Sequence, residues 1–202
     1  MRTLFLDLAS HSGLLACVTD NTVIASEPVD HRISDHELMP LLEGILRRAK
    51  WSFQDLTHVA CVTGPGGFTS LRVAVALANT LVHQLKIPGT GVHLSDLKKA
   101  QCSENDILWL HSTKKHELFI RGFGIHAKQW SEAMHIMLDV AEKGLPKGAQ
   151  WVGELIPEHE KSLSEKGLIP AKMKTLEEVL PVFLKSSVYS SKRLEPWYGR
   201  EG

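Results

Sequence analysis

The stretch Gly64-Pro65-Gly66-Gly67-Phe68-Thr69-Ser70-Leu71-Arg72 carries the residue types best suited to hold an anion. Before it, Val59-Ala60-Cys61-Val62 is a short apolar run bounded by turn formers, which predicts a buried strand. After it no Gly or Pro occurs until Pro88, which leaves room for about four helical turns. Strand, glycine-rich turn and helix together aim free backbone N–H groups at an anion. The glycines permit positive φ and close backbone approach, and Pro65 fixes one φ. The string is not a Walker loop, because no Gly-Lys-Ser/Thr follows. Thr69 stands where a dinucleotide fingerprint needs its third glycine. A phosphate cradle and a tight turn that serves only packing both fit it.

Other chemistry is sparse. No Gly-x-Ser-x-Gly nucleophile elbow occurs. Cys17, Cys61 and Cys102 are far apart and form no C-x-x-C pair. Two of them fall in predicted strands, where a thiol acts as a small hydrophobe. The odd cysteine count and the lack of a signal peptide predict a reducing, cytoplasmic setting. Lys plus Arg and Asp plus Glu balance at 23 each, so no global field points to membrane or nucleic acid. Gripping RNA alone would need clustered cations. Val73 to Leu85, an uncharged and mostly apolar stretch, is too short to cross a bilayer. Eleven histidines should turn the net charge positive on mild acidification. A length of 202 residues with 43% hydrophobic content suits one or two compact domains.

The glycine turn needs elements to hold it. Arg2 to Ala9, Gly13 to Thr19 and Thr22 to Val29 predict three strands, the last two joined at Asp20-Asn21. Ser34 and Glu37 make a capping box, followed by a stripe at Leu38, Leu41, Leu42, Ile45, Leu46 and Ala49. Pro40 lies beyond the first turn of that helix and predicts a kink. The helix after the glycine turn has more apolar surface than one contact needs. Leu71, Ala74, Val75, Ala78, Leu81 and Val82 share one face with Leu85. Val73, Ala76, Leu77 and Thr80 lie on another, while Arg72, Asn79 and His83 occupy a third. Another helix of the chain or a second subunit could cover the surplus. Gly89 to Val92 completes a β-β-β-α-β-α unit. Beyond it we expect a helix at Leu94 to Gln101, paired strands at Ile107 to Leu110 and Glu117 to Phe123, and a helix at Glu132 to Lys143. A strand at Gln150 to Gly153 and helices at Glu158 to Glu165 and Thr175 to Leu180 follow. No internal sequence repeat or linker is evident.

The loop string resembles G-x-G-P-G-S-F-T-G-[LV]-R, the signature of the TsaB family of bacterial tRNA threonylcarbamoyladenosine biosynthesis proteins. Val62 replaces the first Gly, Gly67 the Ser and Ser70 the last Gly. A Leu-x-Pro at Pro40 and the string Pro181-Val182-Phe183-Leu184-Lys185 also resemble that family. The resemblance implies an α/β, two-lobed actin-like (ASKHA, RNase H-like) fold. Residues 1–97 would form a complete first lobe, and 98–202 a short, diverged second one. Family members continue the first strand of the second lobe into Asp-Ala-Arg, where this chain has His111-Ser112-Thr113.

That superfamily handles nucleotide with two phosphate hairpins, the first reading Asp-x-Gly-x-[Ser/Thr]. Here Asp7-Leu8-Ala9-Ser10 places a Cβ at the glycine position, and no Asp-x-Gly-Gly occurs after residue 98. Asp7 and Ser10 are therefore expected to form a degenerate hairpin, and no independent ATPase is expected. The metal motif H-x-x-x-H of the catalytic relative TsaD is missing, because His31/His36 and His111/His116 are five apart. The resemblance implies a non-catalytic subunit with no metal and no cofactor of its own, a nucleotide being allowed only at a subunit boundary. A TsaD-like catalytic subunit, a TsaE-like ATPase or, without them, a second copy would be the partner, with tRNA reached only through the complex. Leu38, Leu41, Leu42, Ile45, Val73, Ala76, Leu77 and Thr80 are the expected interface. The alternative is a divergent nucleotide-dependent enzyme built on the Gly64–Arg72 loop and Asp7.

Overall fold

A computed structural model describes residues 1–30 and 35–199. Ser34, and with it the expected capping box, lies outside them, as does His31. In the first part of the chain, β1 (Arg2–Asp7), β2 (Ser12–Thr19) and β3 (Val23–Asp30) form a meander. Then come α1 (Asp35–Ala49), β4 (His58–Gly64), α2 (Phe68–Leu85) and β5 (Gly89–His93). The sheet order is β3-β2-β1-β4-β5. Strand β1 runs antiparallel to β2 and parallel to β4, with Phe5 opposite both Ala16 and Ala60. Having partners on both sides and both faces covered explains the unbroken apolar run of β1, in which Leu4, Phe5 and Leu6 are fully buried. Pro40 sits inside α1, not at its end.

The second part begins with α3 (Leu94–Ala100), β6 (Leu108–Lys114), β7 (Glu117–Gly122) and β8 (Met134–Met137). It continues through α4 (Leu138–Gly144), β9 (Gln150–Glu154), α5 (Pro157–Glu165) and β10 (Ile169–Pro170), and α6 (Leu176–Ser186) ends the series. Its sheet order is β10-β9-β6-β7-β8, with β6 antiparallel to β7 and parallel to β9. That repeats the first sheet strand for strand: β6 to β10 stand where β1 to β5 do. The expected second lobe is thus complete in topology and short only in its elements, α5 having 9 residues against 18 in α2. The repeat leaves no trace in the sequence because α4 and α5 have only 7 and 9 residues and the edge strands β8 and β10 only 4 and 2. Its own core gathers Leu108, Leu110, Leu118, Ile120, Trp130 and Leu163.

Two expectations are corrected. Glu132 to Lys143 is not one helix, since Met134–Met137 pairs antiparallel with β7, Leu118 facing Ile136. Sheet pairing overrides the helical propensity of a window that includes Met134, Ile136 and Met137. The boundary at residue 98 also moves. One compact unit comprises Met1–Leu94 and Thr175–Tyr198, the other Ser95–Lys174. The C-terminal helix returns because α6 buries Val179, Leu180 and Leu184, and packs on β2 and β3. Its start is fixed by a true capping box, Thr175 with Glu178.

The cysteines behave as core. Cys17, Cys61 and Cys102 are free and buried. Burial pushes the Cys17 thiol up to about 12 despite the opposing pull of Arg48, and burial followed by the Asp7 carboxylate pushes Cys61 up as well. Thiolate is the reactive form. Thiol-disulfide exchange with an aromatic disulfide at pH 8 should therefore leave Cys17 and Cys61 unlabelled in the native chain and label them after unfolding; rapid native labelling would show that the sheet opens readily.

Candidate functional site

The glycine turn and the Asp7 hairpin meet at the carboxyl ends of β1 and β4. Asp7 is 1% exposed, and its carboxylate accepts the N–H groups of Ala9 and Ser10, both at 3.0 Å, and the Ser10 hydroxyl. A buried carboxylate with these donors is engaged in holding its own hairpin. Ser10 is wholly buried. Gly66 lies directly on that hairpin: a Cβ on it would stand 2.6 Å from the Ala9 carbonyl oxygen and 2.7 Å from Ala9 Cβ. The two segments that would flank a phosphate are therefore packed against each other, and Ala9 fills the space that a glycine there would leave.

The three glycines do different work. Gly64 holds φ +137° and presses on the carbonyl of Trp197. Gly66 is required by its close approach to Ala9. Gly67 needs no glycine, since its φ is −59° and a Cβ would meet only Ser70, at 3.6 Å or more. It caps α2, with the Leu71 N–H on its carbonyl at 2.9 Å. The Gly64–Pro65 peptide is cis, and Pro65 is buried.

The outer half of the loop faces solvent. Thr69 and Arg72 are exposed, and Phe68 is 58% exposed. The Arg72 guanidinium lies over the Phe68 ring at 4.6 Å, and the same ring packs on Tyr198 at 5.1 Å. Trp197 donates its N–H to Thr63 at 2.7 Å and meets His93 edge-on. This C-terminal clamp on the loop was not foreseen; the aromatic cluster Trp197-Tyr198, in a polar tail, was its signal.

The corresponding turn of the second unit, from β9 into α5, carries no such loop. It reads Glu154-Leu155-Ile156-Pro157. Lys98 reaches Glu154 at 3.0 Å, His111 stands 3.7 Å from the same carboxylate, and all three side chains are at most 12% exposed. Ser112 accepts the N–H of Ile156 at 2.9 Å. Side chains thus fill the carboxyl ends of β6 and β9, and His111-Ser112 is inner structure. Among the described residues no group of three His, Cys, Asp or Glu could hold a metal ion.

The expected interface divides. Leu38 is 4% exposed, and Leu42 and Ile45 are fully buried in the chain's own core, so these three leave the set. They fill the stripe by which α1 covers the sheet, which is the ordinary fate of an amphipathic face. Leu41, Val73 and Leu77 are half-buried, and Ala76 and Thr80 exposed. The Thr80 hydroxyl bonds back to the Ala76 carbonyl at 2.8 Å, which leaves the outer edge of α2 without a free donor there.

A family model described as TsaD: tRNA N6-adenosine threonylcarbamoyltransferase matches residues 29–183, well over half of the chain. The protein named tRNA threonylcarbamoyladenosine biosynthesis protein TsaB of Buchnera aphidicola subsp. Acyrthosiphon pisum (strain APS) is 26% identical over 145 residues, covering 70% of this chain and 55% of that one. The TsaB protein of Bacillus subtilis (strain 168) is 32% identical over 94 residues, 46% of this chain and 41% of that one. The chain thus spans about half the length of the curated relatives it matches. A solved structure titled YeaZ from Pseudomonas aeruginosa covers 98% of this chain and 99% of its own at TM-score 0.67 and 16% identity, a likeness of fold. With the repeated β-β-β-α-β-α units, that fold is the actin-like one. The chain therefore belongs to the TsaD family of tRNA N6-adenosine threonylcarbamoyltransferases, and it is the TsaB-type members of that family that it resembles.

Proposed function

We propose that the chain is a non-catalytic subunit in tRNA threonylcarbamoyladenosine biosynthesis, which pairs with a TsaD-type catalytic subunit. Family membership and the names of its relatives support the pathway. The observation that carries the non-catalytic part is the contact of Gly66 on Ala9 above an Asp7 carboxylate engaged by its own hairpin. A phosphate would have to separate these segments. Pairing is assigned to the outer edge of α2 at Val73, Ala76, Leu77 and Thr80, with Leu41 from α1. A TsaE-like ATPase would join the pair, and nucleotide and tRNA would meet the chain only within the complex. In the absence of its partner the same edge would pair two copies. The setting is cytoplasmic.

The test is calorimetric titration with Mg-ATP beside a phosphate-release assay. The isolated chain should show no saturation below about 1 mM nucleotide and no release above background. Micromolar binding with steady turnover would replace this reading by a nucleotide-dependent enzyme.

A further inference from the structure

Helix α2 has a charged flank beside the proposed pairing edge. Arg72, Asn79, His83 and Lys86 follow one another down this side, and the C-terminal residues 191–198 run opposite. Two cavities of about 550 Å³ each lie between them. Asn79 and Arg193 line both, so they form one furrow, which reaches from Arg72 to Lys86, about 20 Å along the helix. Its far wall is fixed in place: Asn79 donates to the Leu194 carbonyl at 3.0 Å and accepts the Leu194 N–H at 2.8 Å.

The furrow concentrates positive charge in a chain whose net charge is zero. Arg72, Lys86 and Arg193 line it against one carboxylate, Glu195. None of the three cations pairs with a carboxylate among the described residues, whereas Arg2, Arg48 and Arg121 each do. Between the cations the walls carry apolar side chains. Val82, Ile87 and Pro88 make the cavity near Lys86 mostly apolar; the one near Arg72 is mixed, with Val75, Ala76, Leu194 and Pro196 beside polar groups.

We propose that this furrow docks an extended acidic segment of a protein partner, about six residues long, with carboxylates alternating with aliphatic side chains. A strand of that length spans about 20 Å. Its carboxylates meet Arg72, Arg193 and Lys86, and its aliphatic groups enter the two cavities. Alternation places the two kinds of side chain on opposite faces, so one segment can satisfy the cationic rim and the apolar walls together. Opposed charge steers the approach and sets the register. A nucleic-acid backbone fits less well, because its phosphates gain nothing from the apolar side chains between the cations. The furrow adjoins the pairing edge and shares Ala76 with it, but its cations, Arg72, Arg193 and Lys86, lie outside that edge.

The experiment is fluorescence polarisation of a fluorescein-labelled hexapeptide of alternating Glu and Leu, titrated with the full chain at low salt. Saturable binding is expected, weakened at least about tenfold in an Arg72→Glu, Arg193→Glu double variant and by raised salt. The same peptide with Lys for Glu should not bind. Both arginines are exposed, so the variant should melt like the wild type; if it does not, Arg193→Gln alone serves, with a severalfold loss expected. No saturation with the acidic peptide, binding indifferent to both substitutions, or arginine-dependent binding of an RNA oligonucleotide in place of the peptide each overturn the proposal.

Discussion

Gly66→Val lowers the melting temperature of the chain by roughly 6–12 °C, while Gly67→Ala leaves it almost unchanged. The two glycines are adjacent in sequence and differ only in surroundings. At Gly66 the first added carbon already stands 2.6 Å from the Ala9 carbonyl oxygen and 2.7 Å from its Cα, so backbone must move. Valine adds two methyls to a site that lacks room for one. Overpacking against backbone of this kind costs about 3 kcal/mol. At Gly67 a methyl makes ordinary contact with Ser70, and φ is already that of a common residue. Thermal melting by circular dichroism decides the matter. Equal melting of wild type and Gly66→Val would mean that the loop does not rest on the hairpin. The closed arrangement would then fall, and the case against a phosphate site with it.

The same pair of glycines shows what the sequence could reveal. Strand, turn and helix around Gly64 were legible because apolar runs and breakers are local signals. So was the buried face of α2, where Leu71, Ala74, Val75 and Ala78 recur at helical spacing and are buried. That glycine at 66 answers to Ala9 was not legible, since the contact joins residues 57 positions apart and no periodicity reports it. The stripe of α1 failed differently. Leu38, Leu42 and Ile45 looked available to a partner, but a stripe says only that a face is buried, not by what; here the chain's own sheet buries it. That the second unit repeats the first was not legible because β8 and β10 are short edge strands, which exist through pairing with β7 and β9 and not through any pattern of their own. Lys98, Glu154 and His111 are scattered over 57 residues; the β6–β9 register brings His111 and Glu154 together, and Lys98 reaches Glu154 from α3.

Leu77→Glu should abolish pairing with the catalytic subunit while the chain stays folded. Leu77 is half-buried, flanked by the exposed Ala76 and the half-buried Val73, on the edge of α2 away from the sheet. A glutamate there can swing its carboxylate into water, and it is a good helix former. The melting temperature should therefore fall by no more than about 4 °C, the loss of part of one leucine contact. In the complex there is no such escape. Small neighbours such as Ala76 permit close approach, and an unpaired carboxylate in a desolvated contact is strongly unfavourable. Central residues of an interface each carry about 2 kcal/mol or more, so association should weaken by at least roughly thirtyfold.

The most direct measurement is multi-angle light scattering of the chain mixed with the TsaD-type subunit of the same genome, at low micromolar concentration. The wild-type chain should elute with it as a one-to-one complex. Leu77→Glu should elute as two separate folded proteins, with its melting curve close to that of the wild type. A wild-type chain that stays apart from the TsaD-type subunit, or a Leu77→Glu variant that pairs as tightly as the wild type, would contradict the assignment of this chain as a partner subunit acting through the outer edge of α2.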